Sequence, residues 1–225
     1  MKLISTLILL TSISLSYAQT AKAPLNVIVT NKQGERMPND KITFIGRDSK
    51  QEIVGITNEK GYFKVHIPAG DEYFIKVEVI GEQLDYTSFV VPSPPPGAVF
   101  NTRTLEIRYK LPESIVLKNV HFASGKSTLE TESYATLDQL AEYLIRKKNM
   151  RIRVEGHTDS DGSASSNKML SENRAKAVKS YLVDKGVSSE MIEAKGLGEE
   201  KPLEDNSTES GKASNRRTEI HIIGD

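Results

Sequence analysis

The stretch EGHTDSDGSASSNKMLSENRA, residues 155–175, joins the end of a strand to the start of a helix through a turn rich in glycine and serine. Before it, MRIRVEG alternates apolar and polar residues with the period of two that strands show. After it, Leu170, Val178 and Leu182 recur at helical spacing, and Gly186 is placed to end the helix. The stretch therefore predicts a strand–turn–helix unit whose polar residues collect at the turn.

The same alternation of strands and helices extends to both sides of this unit. VLKNVHF is typical of a strand, and MIEAKGLG and RRTEIHII supply two more. ETESYATLDQLAEYLIRKK carries an apolar stripe at helical spacing, formed by Tyr134, Leu137, Leu140, Ala141 and Leu144. We therefore predict a βαβαβ domain over residues 113–225, with its helices on one face of a small mixed sheet.

The amino-terminal half has a different period. LNVIVT, KITFIGR, YFKVHIP, YFIKVEVI and RTLEIRY alternate apolar and polar residues, and turn signals such as NKQGE and NEKG separate them. VPSPPPG, residues 91–97, is extended by composition and predicts a long loop before the last strand. About seven short strands without a helix predict an all-β sandwich over residues 19–112. The fold class of the whole chain is therefore α+β.

The first 18 residues are typical of a secretory signal peptide. Lys2 precedes a short apolar run, and Ser16-Tyr17-Ala18 resembles a cleavage site, so the mature chain is expected to start near Gln19. The run is shorter than the roughly 20 apolar residues that a spanning helix needs. The chain has no cysteine, so its domains depend on hydrophobic cores and not on disulfides.

Charge and motifs argue against several classes of function. The 30 acidic and 30 basic side chains balance, which gives no electrostatic reason to expect a nucleic-acid partner. The sequence contains no G-x-S-x-G or H-E-x-x-H motif and no nucleophilic cysteine. A calcium loop starting at Asp159 would follow D-x-D-x-D-G, with an aspartate at its fifth position and a glutamate at its twelfth, where Ser163 and Leu170 stand. We therefore predict no catalytic residue, no cofactor and no metal, including at His157-x-Asp159-x-Asp161.

Arg174 is the residue of the predicted second helix that most needs an explanation. At about 100° per residue it falls, with Asn167, inside the sector of the apolar residues. A guanidinium near a core needs an anion, and Asp159 on the preceding loop is the candidate. Two interpretations follow. Asp159 and Arg174 form an internal salt bridge, or Asp159 takes the ammonium and Arg174 the carboxylate of one zwitterionic ligand.

The segments GHTDSDG and NKMLSENRA resemble the OmpA-like peptidoglycan-binding domain, whose pattern is G-H-T-D-x-x-G followed by N-x-x-L-S-x-x-R-A. VHFASGKSTL resembles the family's opening strand and loop, and GKASNRRTEI its closing strand, so the resemblance covers about residues 113–224. It implies that Asp159 and Arg174 hold the diaminopimelate of the wall peptide and that Asn167 lines the site. We assign Gly125 of the SGK turn and Asp161 to the same binding site, and the resemblance favours the ligand-binding interpretation.

Two positions depart from the family pattern. Ala123 follows Phe122 where the family usually has an aspartate, and Ser166 stands where it often has an aromatic residue. The amino-terminal half resembles transthyretin-like or carboxypeptidase-regulatory-like sandwiches through ITNEKGYFKV, in which Asn58 replaces an aspartate and Gly61 is expected to adopt a positive φ. That second resemblance implies a fold and leaves function open.

Together these features predict an exported, non-enzymatic protein of the periplasm that is associated with the outer membrane. Its carboxy-terminal domain is expected to bind the diaminopimelate-containing stem peptide of peptidoglycan and to tether an envelope layer or complex to the wall. The sandwich is a candidate for contact with an envelope protein. The alternatives are a structural interaction protein with an internal Asp159–Arg174 salt bridge and, less favoured, a cell-wall hydrolase.

Overall fold

The computed structural model describes residues 21–224, which contain three β-sheets and three α-helices. The predicted signal peptide and the start near Gln19 lie outside the described residues. Two sheets form the amino-terminal half, and the third sheet carries the helices. None of the helices in residues 21–224 is long and apolar enough to cross a membrane.

The amino-terminal half is a sandwich of seven strands, as predicted. One sheet has the order β4-β1-β7, in which β1 is antiparallel to β4 and parallel to β7. The other has the order β3-β2-β5-β6 and is antiparallel throughout. The strands are β1 (Lys22–Thr30), β2 (Lys41–Gly46), β3 (Glu52–Ile56), β4 (Tyr62–Pro68), β5 (Asp71–Val79), β6 (Glu82–Val91) and β7 (Arg103–Arg108).

Aromatic side chains from both sheets meet in the core of the sandwich. The ring of Phe63 on β4 lies 6.5 Å from that of Phe44 on β2, which lies 6.0 Å from the ring of Phe89 on β6. Gly61 has a φ of +62°, as its place in the turn before β4 predicted. The long loop before the last strand is also confirmed, because it separates β6 from β7. The resemblance of this sandwich to the transthyretin-like family stays a prediction.

The carboxy-terminal half is a mixed sheet of order β10-β9-β11-β8. β9 is parallel to β10 and antiparallel to β11, which is antiparallel to β8. The elements are β8 (Ser114–Val116), α1 (Tyr134–Lys147), β9 (Arg151–His157), α2 (Ala164–Asp184), β10 (Ile192–Gly198), α3 (Glu209–Asn215) and β11 (Thr218–Gly224). The predicted order of strands and helices is confirmed, with the short helix α3 added before the last strand.

The first strand of this half is shorter than predicted. VLKNVHF was expected to be extended throughout, but β8 ends at Val116, and Phe122 forms only an isolated bridge with Leu129. The Oγ atom of buried Ser133 accepts from the amide of His121 at 2.8 Å and donates to its carbonyl oxygen at 3.0 Å. A side chain therefore satisfies backbone groups that a sheet ladder would otherwise pair.

Helix α2 packs unusually close to the sheet because two glycines face it. A Cβ atom at Gly156 would lie 2.4 Å from the carbonyl oxygen of Ser171, and one at Gly196 would lie 2.2 Å from the amide of Glu172. Along β9 the side chains alternate, so Val154 and Gly156 face the helix side and Glu155 faces the other side of the sheet. The sheet thus has one face covered by α2 and one face carrying charged side chains.

Helix α1 packs against both α2 and the sandwich. Its predicted apolar stripe is buried except at Tyr134, whose ring stacks on that of Tyr181 of α2 at 5.2 Å. On the sandwich side, Arg146 bonds Glu78 at 2.7 Å, and Lys147 pairs with the fully buried Asp40. A Cβ atom at Gly81, in the turn between β5 and β6, would lie 3.1 Å from an amide of α1. The two halves are therefore in direct, partly charged contact.

Candidate functional site

The candidate site is a groove of about 580 Å³ between the turn after β9, the first turns of α2 and the turn at residues 123–126. The structure brings together in its lining all the binding residues predicted from the sequence, which are Gly125, Asp159, Asp161, Asn167 and Arg174. The remaining lining residues were not assigned to the site from the sequence, and they are Phe122, Ser124, Glu130, Thr158, Leu170 and Arg216.

Asp159 provides the buried negative charge of the groove. Asp159 is 8% exposed, and its Oδ1 atom accepts a hydrogen bond from the amide of Asp161 at 3.2 Å. Its Oδ2 atom accepts from Nη1 of Arg216 at 2.7 Å. The alternative of an internal Asp159–Arg174 salt bridge is therefore wrong, because within residues 21–224 the salt-bridge partner of Asp159 is Arg216.

Arg174 provides a positive charge without a contacting carboxylate. Its Nε atom donates to the carbonyl oxygen of Lys126 at 3.0 Å, and its guanidinium carbon lies 5.1 Å from the centre of the Phe122 ring. Partial burial lowers the pKa of the Arg174 guanidinium. The negative charge of Asp159 opposes this lowering, and the positive charge of Arg216 adds to it. Among the described residues its two Nη atoms donate no hydrogen bond, so the planar fork is available to an anion.

Asn167 and Asp161 stabilise the turn that carries Asp159. The buried Asn167 donates from Nδ2 to the carbonyl oxygen of Asp159 at 3.2 Å and to Oε2 of Glu199 at 2.6 Å. Asp161 lies at the exposed rim and forms a salt bridge of 2.8 Å with Lys212 of α3. Asn167 thus positions the backbone of the turn, and Asp161 connects the turn to α3.

Gly125 shapes the opposite wall of the groove. The amide of Lys126 donates to the carbonyl oxygen of Ala123 at 2.9 Å, which closes a tight turn. Gly125 has a φ of +65° in this turn, and a Cβ atom there would meet nothing within 4 Å. Glycine therefore suits this position because of its positive φ and not for lack of space. The turn presents the carbonyl oxygen of Lys126 to Arg174.

His157 does not join Asp159 and Asp161 in a metal-binding row. It is 1% exposed and lies on the charged face of the sheet, where its Nε2 atom is 3.8 Å from Oε1 of Glu219. Burial lowers the pKa of His157 to about 4, and the charge of Arg217 adds to the effect. Glu155, His157 and Glu219 form the group of described residues whose ligand atoms are close enough together to hold a metal ion.

The carboxy-terminal half of the chain is similar to known proteins. Residues 121–216 match the OmpA family. The chain is 35% identical over 125 residues to the outer-membrane lipoprotein YfiB of Pseudomonas aeruginosa, which covers 56% of this chain and 74% of that protein. It is 38% identical over 103 residues to the peptidoglycan-binding protein ArfA of Mycobacterium bovis, covering 46% of this chain and 32% of that protein.

The crystal structure of the peptidoglycan-associated lipoprotein from Burkholderia pseudomallei is similar at 30% identity and a TM-score of 0.42, over 51% of this chain and 91% of that one. Other curated relatives are matched over 32%, 30% and 53% of their own length, so the chain spans about a third to a half of them. The match to YfiB covers most of that relative at substantial identity. The chain therefore belongs to the OmpA family.

Proposed function

We propose that residues 113–225 bind the stem peptide of peptidoglycan through its diaminopimelate residue and catalyse no reaction. The observation that carries this proposal is the half-buried guanidinium of Arg174, which faces the same groove as the buried carboxylate of Asp159 without pairing with it. The relative ArfA is a peptidoglycan-binding protein, which supports the same class of ligand.

The chemistry of diaminopimelate fits the charges of the groove. The end of its side chain carries an ammonium and a carboxylate on one carbon. The free Nη atoms of Arg174 suit the carboxylate, and Arg216 places a second positive charge beside it. Asp159 already accepts two hydrogen bonds, but a carboxylate has about four lone-pair sites, so it can still accept the ammonium. Arg216 is therefore a support for Asp159 and a second contact for the ligand carboxylate.

Binding of this kind would tether an envelope layer or complex to the cell wall. We place the protein in the periplasm, exported across the inner membrane and associated with the outer membrane, with the sandwich of residues 19–112 as the part available to an envelope partner. The relative YfiB is an outer-membrane lipoprotein, which supports this location. No covalent step is needed for tethering, because the groove only has to hold the peptide.

Sedimentation of the full chain with purified sacculi tests the proposal. Arg174→Ala is expected to weaken binding to diaminopimelate-type walls by about 2–5 kcal/mol, because it removes one partner of a desolvated charge pair. Arg174→Lys keeps the charge but loses the two-pronged grip, so it should also weaken binding. Lysine-type walls lack the terminal carboxylate and should bind much less well.

The matched control is Lys176→Ala, which removes an exposed cation from the same helix outside the groove and should leave binding unchanged. Thermal melts must accompany each measurement, since an unfolded variant would imitate lost recognition. A folded Arg174→Ala protein that bound diaminopimelate-type walls at wild-type affinity would refute the proposed clamp.

A further inference from the structure

Two histidines and two glutamates meet on the charged face of the carboxy-terminal sheet. Glu155 and His157 lie two residues apart on β9, and Glu219 and His221 lie two residues apart on β11. The two strands are antiparallel, and Glu219 is directly opposite Glu155. Because side chains alternate along a strand, all four point away from the face that α2 covers. We call these four residues the cross-strand quartet.

The distances within the cross-strand quartet are those of metal ligands. Nε2 of His221 lies 2.8 Å from Oε2 of Glu219 and 3.3 Å from Oε2 of Glu155. Ligand atoms of Glu155, His157 and Glu219 all lie within 4.8 Å of one another. Around a tetrahedral zinc ion with bonds of about 2.0–2.1 Å, neighbouring ligand atoms are roughly 3.3 Å apart. Glu155, His157 and Glu219 can therefore converge on one ion after side-chain adjustment, and His221 contacts the same two carboxylates.

His157 provides a second, independent indication that something binds here. Its residue is 1% exposed, and among the described residues neither of its ring nitrogens has a hydrogen-bond partner. A polar group that is buried without a partner costs free energy, so such groups are rare in native structures. A metal ion bound to Nε2 would remove that cost at this nitrogen.

Two arginines on the same face contact one oxygen of each glutamate. Arg217 donates to Oε1 of Glu219 at 2.6 Å, and Nη1 of Arg153 lies 3.6 Å from Oε1 of Glu155. Both contacts use the Oε1 atoms, whereas the Oε2 atoms of the two glutamates face His221. The arginines thus orient the carboxylates, as outer-shell partners of metal ligands commonly do.

We propose that the cross-strand quartet binds one divalent transition-metal ion of borderline softness, such as Zn²⁺, and that the ion stabilises the sheet. Mixed imidazole and carboxylate ligands suit Zn²⁺ and its transition-metal neighbours and disfavour Mg²⁺ and Ca²⁺, which prefer oxygen ligands alone. His221 is only partly buried and offers the ion a way in. None of the four residues lines the proposed peptidoglycan groove, so this site does not depend on that function.

Calorimetric titration of the full chain with ZnCl₂, without an affinity tag and after treatment with a chelator, tests the proposal. We expect saturable binding of one ion per chain and a higher melting temperature with Zn²⁺ than with the chelator. His157→Gln and His221→Gln should each weaken Zn²⁺ binding at least about tenfold. Mg²⁺ at the same concentration should give neither heat nor stabilisation.

The matched control is His66→Gln, which replaces an exposed histidine of the sandwich and should bind Zn²⁺ as the wild type does. Within residues 21–224 the ring of His157 makes no hydrogen bond that its replacement would break, and the partly buried His221 gives a second variant if the first does not fold. Absence of saturable Zn²⁺ binding by the folded wild type would overturn the proposal. Unchanged Zn²⁺ affinity in a folded His221→Gln protein would overturn it as well.

Discussion

At the scale of single residues, the groove contains two arginines with different tasks. Arg216 is 44% exposed at its side chain and bonds the buried carboxylate of Asp159. Arg174 is bonded to a backbone carbonyl and stacked over Phe122. The sequence motif predicted five of the residues that line the groove. It could not predict the partner of Asp159, because Arg216 lies 57 residues further along the chain and the choice between two nearby arginines depends on tertiary geometry.

Arg216→Ala is expected to destabilise the protein and to weaken sacculus binding. The change leaves the buried carboxylate of Asp159 with only a backbone amide, and a hydrogen bond to a charged group contributes about 1.5–3 kcal/mol. Urea unfolding gives the stability change and sedimentation gives the binding change. Arg151→Ala is the matched control, since it breaks an exposed salt bridge with Glu193 that is expected to contribute less than about 1 kcal/mol. Wild-type stability in Arg216→Ala would mean that the pair with Asp159 contributes nothing.

At the scale of elements, periodicity predicted most strands and helices but not their close packing. The stripe of α1 and the strand β9 follow from apolar spacing, because burial of one face imposes that spacing. Two features did not follow from it. The strand VLKNVHF ends early, at Val116, and Ser133, outside it in sequence, satisfies the backbone of His121. The approach of α2 to the sheet depends on Gly156 and Gly196, and a lone glycine in a strand does not reveal what it approaches.

Gly156→Ala tests that close approach. The added methyl group would lie 2.4 Å from the carbonyl oxygen of Ser171, which belongs to the helix backbone and cannot rotate away. We expect a loss of about 1–3 kcal/mol in the free energy of unfolding, as overpacking usually costs. The measurement is a shift of the urea midpoint at constant slope. Gly224→Ala is the control, because its Cβ atom would be 3.7 Å from Arg151, an ordinary contact. Equal midpoints for the two variants would show that α2 can move away without cost.

At the scale of the whole molecule, the sandwich and the OmpA-like half are joined through α1. The change of period near residue 110 predicts a domain boundary, and we expect residues 113–225 to fold without the sandwich. The contact between the two halves could not be predicted, because Lys147 and Asp40 are 107 residues apart in sequence and neither lies in a motif. A separate carboxy-terminal fragment would expose the buried Tyr143 and leave Lys147 without Asp40. We therefore expect such a fragment to be less stable than the same residues in the full chain.

The buried Asp40–Lys147 pair allows that coupling to be measured. Asp40 is fully buried and the side chain of Lys147 is 6% exposed. Lys147→Ala leaves a buried carboxylate without its cation, which is expected to cost about 3–5 kcal/mol in unfolding free energy. The double variant Asp40→Ala/Lys147→Ala removes the unpaired charge as well and should recover part of that loss. Lys185→Ala, which breaks the exposed pair with Asp138, should cost less than about 1 kcal/mol.

The pH dependence of these variants gives the decisive comparison. Burial raises the pKa of Asp40 above its ordinary value of 3.8, and Lys147 opposes the rise. A carboxyl whose pKa is raised by folding favours the folded state at acid pH, and this contribution is lost as the pH rises from about 4 through the raised pKa. Without Lys147 the pKa of Asp40 should rise further. Lys147→Ala should therefore lose stability over a wider range above pH 4 than the wild type, whereas the double variant, which lacks the carboxyl, should not. Melting curves recorded across this pH range provide the test. If Lys147→Ala and the double variant gave parallel pH profiles, the contact between the two halves would not be holding Asp40 in a buried environment.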